Sequence, residues 1–165
     1  MTFPFHQVRG LKWAEWTSNP FGNTPPPPKK GPRAVARREG LAFQATLAAA
    51  LSQIPALSGP WIRFEDRTGI HFAQPDFLLF PSGEEPVVLE AKLTFRAEAF
   101  LQLSLLYLPL LEALLSRKVL PVVACKNLGS FAGRPVSFSS LRSRRDLFPN
   151  AVLFWDAPAR ISLGD

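Results

Sequence analysis

The sequence predicts an α/β fold with a mixed central β-sheet flanked by helices. Apolar residues recur at helical spacing over residues 34–54, and strand-like segments follow one another over residues 61–93. A second helical stretch, at about residues 95–118, leads into an apolar run at residues 119–125 that is typical of a strand covered on both faces. With 165 residues and 47% hydrophobic content, the chain can close one ordinary core, so one domain is expected.

The first 33 residues differ in composition from the rest of the chain. Residues 25–33 read Pro-Pro-Pro-Pro-Lys-Lys-Gly-Pro-Arg, a run that favours extended polyproline geometry over helix. We therefore predict a basic, proline-rich arm over residues 1–33 and a single domain over residues 34–165. Trp13 and Trp16 in this arm can stack on bases or pack back on the domain, and packing is the commoner use of tryptophan.

The first predicted helix is amphipathic. Phe43, Leu47 and Leu51 recur at a spacing of four residues, which places them in one apolar stripe. Glu39 lies one turn before Phe43, at the edge of this core-facing stripe. A carboxylate in that position indicates a specific role.

A meander of strands is predicted next. Residues 61–64 and 70–72 flank a turn, and residues 77–80 and 87–93 flank a loop rich in turn residues. The alternation of side chains along a strand places Glu90 and Lys92 on the same side of the last of these strands.

The second helix is expected to bend at Pro109. Its leucine-rich part, residues 100–115, is interrupted by polar residues and proline, so we expect a buried helix that is too short and too polar to span a bilayer. The strand at residues 119–125 follows, and a last apolar stretch at residues 151–155 predicts one more strand.

The charge balance favours a polyanionic partner. Lys and Arg outnumber Asp and Glu by 19 to 13, the net charge is +6, and the pI is about 10.1. Such a chain favours binding to nucleic acid. The first residues lack the pattern of a secretory signal, so a cytoplasmic protein without a membrane partner is predicted.

The usual soft ligands for metals are scarce. Cys125 is the single cysteine, so neither a disulfide within the chain nor a cysteine-ligated zinc or iron–sulfur site can form. His6 and His71 are isolated in the sequence without ligand spacing and are assigned no catalytic role. Any metal is therefore expected on carboxylates.

Two carboxylates are predicted to face each other across a hairpin. If the hairpin is symmetric about its loop, Phe80 pairs with Pro86 and Asp76 falls opposite Glu90, with β-carbons about 5 Å apart. Two bare carboxylates at that distance repel each other unless a cation lies between them. Oxygen ligands suit Mg²⁺ or Mn²⁺, so one of these is the predicted cofactor.

This arrangement points to phosphodiester hydrolysis. The metal would polarise a phosphoryl oxygen, while Lys92 would hold or help to activate the attacking water. Glu39 could complete the outer shell of the metal or bind that water. The alternative interpretation is structural: Asp76 begins a strand after a turn, and Glu90 with Lys92 forms a solvated ion pair.

Three short motifs occur in order: Arg38-Glu39, Pro75-Asp76-Phe77 and Glu90-Ala91-Lys92. In these motifs, over about residues 32–127, the chain resembles the PD-(D/E)XK nuclease superfamily. The resemblance implies a restriction-endonuclease-like core of order αβββαβ. It also implies a metal held by Asp76, Glu90 and the Ala91 carbonyl, and DNA cleavage that leaves a 5′-phosphate and a 3′-hydroxyl.

Two branches of that superfamily are similar to this chain. Archaeal-type Holliday-junction resolvases, which act as homodimers, share the basic stretch before an Arg-Glu helix and a strand that ends in lysine, here Lys126. RecB-type exonucleases carry a glutamine and a tyrosine four residues apart. Gln102 and Tyr107 are five apart, which on an α-helix turns the side chains about 140° from each other. Gln102 is therefore a candidate site residue, whereas the spacing leaves the role of Tyr107 open. The stand-alone length favours a resolvase-like or another structure-specific endonuclease.

The basic residues are candidates for contacts with DNA phosphates. The set comprises Lys29, Lys30, Arg33, Arg37, Arg38, Lys126, Arg142, Arg144 and Arg145. The last three can equally be a solvated charge run. Two other classes of protein stay open: a non-catalytic DNA-binding module of the same fold, and an interaction protein that associates through its leucine-rich helix.

Overall fold

The computed structural model of the protein describes residues 4–22, 31–94, 96, 98–127, 141–144 and 152–156. It is an α/β structure with two β-sheets flanked by helices, which confirms the predicted fold class. The strands are β1 Trp13–Thr17, β2 Ala56–Ser58, β3 Trp61–Asp66, β4 Gly69–Ala73, β5 Phe77–Leu79, β6 Val87–Thr94, β7 Leu120–Asn127, β8 Leu141–Arg144 and β9 Val152–Asp156. The helices are α1 Pro32–Ala50, α2 Glu98–Gln102 and α3 Leu108–Leu115, with a π-helical turn, Leu103–Tyr107, between α2 and α3.

The larger sheet has six strands in the order β2-β5-β6-β7-β9-β8. The central strands β6 and β7 are parallel, with Glu90 paired to Val123 and Lys92 to Cys125. The other neighbouring pairs are antiparallel. A parallel pair needs a crossover, which the helical segment 98–115 supplies.

The smaller sheet has the order β1-β3-β4 and is antiparallel throughout. The predicted meander is therefore wrong in one respect, because its first two strands, β3 and β4, belong to this separate sheet. Five strands separate α1 from α2, and only β2, β5 and β6 lie in the larger sheet. The strand β2 was not predicted because its three residues are all exposed and show no alternation of polar and apolar residues.

The N-terminal segment is part of the fold. β1 pairs with β3, where Trp13 lies opposite Glu65 and its indole Nε1 donates a hydrogen bond of 2.8 Å to the Glu65 carboxylate. The prediction of a separate arm over residues 1–33 is therefore wrong for residues 13–17, which form β1. This strand covers an edge of β3 whose backbone groups would otherwise lack partners. The expected packing of Trp13 on the domain is confirmed, and residues 23–30 of the proline-rich run lie outside the described residues.

Each face of the larger sheet carries its own hydrophobic core. On one face, α1 contributes the predicted stripe, and the buried residues there are Phe43, Leu47, Leu51, Phe77, Leu79, Val87, Leu89, Leu120, Val122 and Ala124. On the other face, the helical segment 98–115 packs between the larger sheet and the smaller sheet. Its cluster includes Ile62, Phe64, Ala73, Leu78, Val88, Ala99, Leu103, Leu106, Tyr107, Leu110, Leu111, Val123 and Cys125.

The helical segment 98–115 changes its winding before Pro109. Proline has no N–H, so the carbonyl of Leu105, four residues earlier, loses the donor that a regular α-helix would supply. The Val8 backbone N–H donates to that carbonyl at 3.0 Å instead. A π-helical turn, Leu103–Tyr107, thus lies just before Pro109, and the N-terminal segment satisfies the vacated carbonyl.

We expected this helix to be too short and too polar to span a bilayer. Judged by length and composition only, that expectation is wrong. Residues Glu98–Leu115 form an 18-residue helical stretch with a mean hydropathy of 1.5, which meets both criteria. The core helix of a soluble protein meets them as well, and 33% of this span is buried, on the side that packs against both sheets.

Two leucines of α1 differ in exposure, so substituting each of them tests the packing of this helix. Leu47 is 1% exposed and Leu41 is 56% exposed. Leu47→Ala should lower the free energy of unfolding by about 2–5 kcal/mol because it leaves a cavity, whereas Leu41→Ala should change it by less than about 0.5 kcal/mol. Urea denaturation of both variants measures the difference, and equal effects would contradict the packing described for α1.

Candidate active site

The candidate site lies where the pairing of β5 with β6 ends. It brings together Asp76, Glu90 and Lys92. The β5–β6 pairs are Phe77 with Leu89, Leu78 with Val88 and Leu79 with Val87, which is the register that the symmetric hairpin predicted. The β5–β6 pairing ends at Phe77. Beyond it, a side chain replaces the backbone as hydrogen-bond acceptor, because Asp76 Oδ2 accepts a 2.8 Å hydrogen bond from the backbone N–H of Ala91.

The helix α1 supports the site through Gln44. Gln44 Nε2 donates to Asp76 Oδ1 at 2.9 Å, so both oxygens of Asp76 are held. Sequence reasoning missed this residue, although its position directly after the buried Phe43 places it on the flank of the apolar stripe.

Glu39, which was predicted for this supporting role, is exposed. Phe43 and Leu47 are the buried residues of α1, so the first two turns of the helix lie outside its packed part. Among the side-chain hydrogen bonds and ion pairs of the described residues none involves Glu39, and α1 reaches Asp76 through Gln44 instead.

Glu90 is a buried carboxylate on a central strand. It is 4% exposed, and its Oε1 pairs with Lys92 Nζ at 2.6 Å. Its other oxygen, Oε2, is buried and has no hydrogen-bond partner within the described part of the chain. Because a buried polar atom without a partner is unfavourable, this oxygen is a candidate ligand atom for a cation.

Both carboxylates of the site have raised pKa values. Burial raises the pKa of Glu90 to about 7, and the negative charge of Asp76 acts in the same direction. The Lys92 ammonium and the backbone amide of Asp76 oppose this shift without cancelling it. The pKa of Asp76 is also raised by burial, against the Ala91 amide and Lys92. One ammonium is therefore not enough to stabilise the buried Glu90 and the partly buried Asp76 as two anions.

The donor set fits a small divalent cation. Asp76 and Glu90 supply carboxylate oxygens, and Ala91 lies between the two charged residues of β6 with its amide already bonded to Asp76. Oxygen ligands of this kind are the preferred ligands of Mg²⁺ and Mn²⁺. A divalent charge beside Oε2 of Glu90 would satisfy this buried oxygen and make both carboxylates favourable as anions.

Gln102 and Tyr107 lie together, which corrects the expectation that five residues would separate their side chains. Gln102 Nε2 donates to the Tyr107 hydroxyl at 3.0 Å, and that hydroxyl donates to the Gln74 carbonyl at 3.0 Å. The intervening π-helical turn has more residues per turn than an α-helix, so residues five apart share a side. Burial, with the charges of Glu90 and Asp76, raises the pKa of Tyr107, which keeps its hydroxyl protonated.

A cleft of about 340 Å³ opens beside Lys92. It is lined by Pro4, Phe5, Lys92, Arg96, Glu98, Ala99 and Gln102. The side chain of Lys92 is 32% exposed, so its ammonium lies between the buried Glu90 and the solvent of this cleft. Two predicted site residues thus reach one opening, and the N-terminal segment forms part of its wall.

The predicted basic contacts are partly described. Arg33, Arg37 and Arg38 are exposed on α1, and Lys126 is exposed on β7. The backbone of Arg142 and Arg144 belongs to β8. The side chains of these two residues, together with Lys29, Lys30 and Arg145, lie outside the described residues.

The two histidines are not isolated in space. The rings of His6 and His71 stack with their centroids 3.9 Å apart, and both lie beside the buried Asp66. The distance of 65 positions between them in the chain hides this pairing from any motif search.

No family model, curated protein or solved structure matches this chain.

The raised pKa of Glu90 predicts how stability depends on pH without metal. The folded protein keeps a proton that the unfolded chain releases above its ordinary pKa of 4.5, so this stabilisation is complete below about pH 4.5 and is lost as the pH rises through about 7. The loss should be on the order of 3 kcal/mol. Denaturant titrations in chelator at pH 5 and pH 8 measure it.

Glu90→Gln is the control for this pH dependence, because its amide does not titrate. The variant should lose most of the difference between the two pH values, while titrations of other groups persist. An unchanged pH dependence in Glu90→Gln would show that Glu90 does not titrate as described.

Proposed function

We propose that this protein is a metal-dependent DNA nuclease that hydrolyses phosphodiester bonds. The observation that carries the proposal is the buried, unpartnered Oε2 of Glu90, beside a second carboxylate and a lysine at the edge of a cleft. A buried carboxylate oxygen without a protein partner is a position where a bound cation is favourable.

A divalent cation bound by Asp76 and Glu90 would supply Lewis acidity toward a phosphoryl oxygen. Asp76 is prepared for this role because Gln44 and the Ala91 amide fix both of its oxygens, which sets the direction of the carboxylate before substrate arrives. Preorganised groups of this kind need no rearrangement during the reaction.

Lys92 faces the solvent side of the same site. Its contact with Glu90 Oε1 fixes the end of a flexible side chain, and its remaining N–H groups can donate to a water molecule or to a non-bridging phosphate oxygen in the cleft. From there it would position the attacking water and offset the charge that develops on the phosphate. The resemblance to PD-(D/E)XK nucleases implies products with a 5′-phosphate and a 3′-hydroxyl.

The charge of the chain supports a nucleic-acid substrate. The net charge is +6, and the exposed Arg33, Arg37 and Arg38 lie along the first turns of α1. Basic side chains on one exposed stretch favour phosphate binding that weakens as salt is added.

Within this class, the contact between Gln102 and Tyr107 favours a RecB-type exonuclease. The π-helical turn brings together the two residue types that characterise this branch. A junction resolvase that acts as a homodimer is the other candidate, supported by the basic start of α1 and by Lys126. The exonuclease is favoured because the glutamine–tyrosine pair lies next to the cleft, where Gln102 forms part of the lining.

Cleavage assays with labelled DNA in Mg²⁺, in Mn²⁺ and in chelator test the nuclease proposal. Lys92→Ala should lower the rate by about 10²–10³-fold, as expected when a preorganised charge is removed from a reacting centre. Lys12→Ala is the matched control, because Lys12 also pairs with a glutamate at 2.6 Å but on the smaller sheet, and it should leave the rate unchanged.

Two results would contradict the nuclease proposal. Cleavage unaffected by both Lys92→Ala and Glu90→Gln would place the chemistry elsewhere. DNA that is bound but never cut with any metal would identify a non-catalytic binding module instead.

The choice between the two branches is decided by product patterns. Progressive shortening of end-labelled DNA is expected for the exonuclease, and paired nicks near the centre of a four-way junction for the resolvase. Gln102→Ala should slow shortening on the order of 10-fold to 100-fold because substrate alignment is lost. Gln53→Ala, at an exposed position after α1, should not slow it, and junction nicking without end shortening would rule out the exonuclease.

A further inference from the structure

The only two histidines of the chain lie in a single cluster. His6 comes from the N-terminal segment and His71 from β4, and their rings stack at 3.9 Å with an angle of 27° between the planes. Each side chain is 28% exposed, so solvent and dissolved ions reach both rings. Asp66, at the end of β3, lies against both histidines and is 0% exposed.

Asp66 is an anion in this setting. Burial alone would raise its pKa, but hydrogen bonds from the Arg9 amide, from His6 and from Thr68 outweigh that effect and hold the pKa well below its usual range. Three groups that can bind a metal, two imidazoles and one carboxylate, therefore converge from the N-terminal segment and from the β3–β4 hairpin.

The distances between these atoms are close to those of a metal site. His6 Nε2 is 2.8 Å from Asp66 Oδ2, and His71 Nε2 is 3.6 Å from Asp66 Oδ1. Tetrahedral zinc with bonds of about 2.0–2.1 Å places its ligand atoms about 3.3 Å apart. The two observed distances lie on either side of that value, and the three ligand atoms all lie within 4.8 Å of one another.

The present hydrogen bonds do not prevent metal binding. Thr68 Oγ1 donates to Asp66 Oδ1 at 2.7 Å, so it must accept from His71 Nε2, which lies 2.8 Å away. His6 Nε2 likewise donates to Asp66. If each neutral imidazole moves its proton to Nδ1, both Nε2 lone pairs become available without a change of charge.

We propose that His6, Asp66 and His71 form a second cation site that binds Zn²⁺ or another borderline transition-metal ion such as Co²⁺. Imidazole with carboxylate suits these ions, whereas the carboxylate pair Asp76 and Glu90 suits Mg²⁺ or Mn²⁺. The ion joins the N-terminal segment to β4. Because Pro4 and Phe5 precede His6 and line the cleft beside Lys92, the site holds one wall of that cleft in place.

Metal titrations of untagged, chelator-stripped protein test this second site. Co²⁺ should produce the visible absorption of a tetrahedral complex. Zn²⁺ at about 100-fold above its Kd should raise Tm by roughly 5–10 °C. His6→Gln and His71→Gln should lose both signals. Their amide nitrogen can still donate the existing hydrogen bonds, so the metal-free variants should keep the fold and a Tm close to that of the wild type.

Glu90→Gln separates the two sites, because it removes a carboxylate of the first site and leaves the histidines intact. It should keep the full response to Co²⁺ and Zn²⁺. The proposal is overturned if the histidine variants respond like the wild type, if only Glu90→Gln abolishes the response, or if the wild type binds neither ion. None of these readouts depends on cleavage of DNA, so the result is independent of the proposed nuclease function.

Discussion

A carboxylate that is 4% exposed on a central strand must be balanced by charge or by hydrogen bonds, and Glu90 receives only part of what it needs from this chain. Lys92 satisfies one oxygen, Asp76 adds a second negative charge, and the other oxygen of Glu90 has no partner among the described residues. The surrounding structure holds the two carboxylates together nonetheless, through the β5–β6 register and through Gln44. An arrangement that is unfavourable for stability and is still enforced by packing is what a cation-binding centre requires.

The wall of the cleft that the N-terminal segment forms depends on the N–H that Pro109 lacks. Pro109 cannot donate to Leu105, so that carbonyl accepts from Val8 and ties the N-terminal segment to the helix. The same interruption accommodates the π-helical turn, which turns Tyr107 toward Gln102. One proline thus influences both the wall of the cleft and the polar pair at its edge.

Much of the site could be predicted because it depends on local rules. The symmetric hairpin loop was enough to place Asp76 opposite Glu90, and the period of two along β6 was enough to place Lys92 beside Glu90. Leu47 and its neighbours were found from the helical period, since their burial dominates the energetics of α1. The two-sheet division was not predicted, because strand patterns show which residues are buried but not which strand pairs with which.

What the sequence did not predict depends on long-range or irregular geometry. Gln44 reaches Asp76 only because of how α1 crosses the sheet, and ideal helix geometry misplaced Tyr107 because a π-helical turn has no clear propensity signature. His6 and His71 are 65 positions apart in the chain. They meet because β1 and β4 both pair with β3. Pairings of this kind arise from loop closure and packing in the complete fold, so neither spacing nor composition encodes them.

The two clusters of ligand-type side chains differ in what they need. Asp76 and Glu90 have raised pKa values, so their anions are under-stabilised. Asp66 has a lowered pKa because donors from Arg9, His6 and Thr68 surround it. A cation at Asp76 and Glu90 would therefore supply charge that the fold lacks, whereas a cation at Asp66 would replace hydrogen bonds that the fold already has. The first site has the stronger electrostatic reason to bind a metal, and the second must rely on the affinity of imidazole nitrogen for borderline ions.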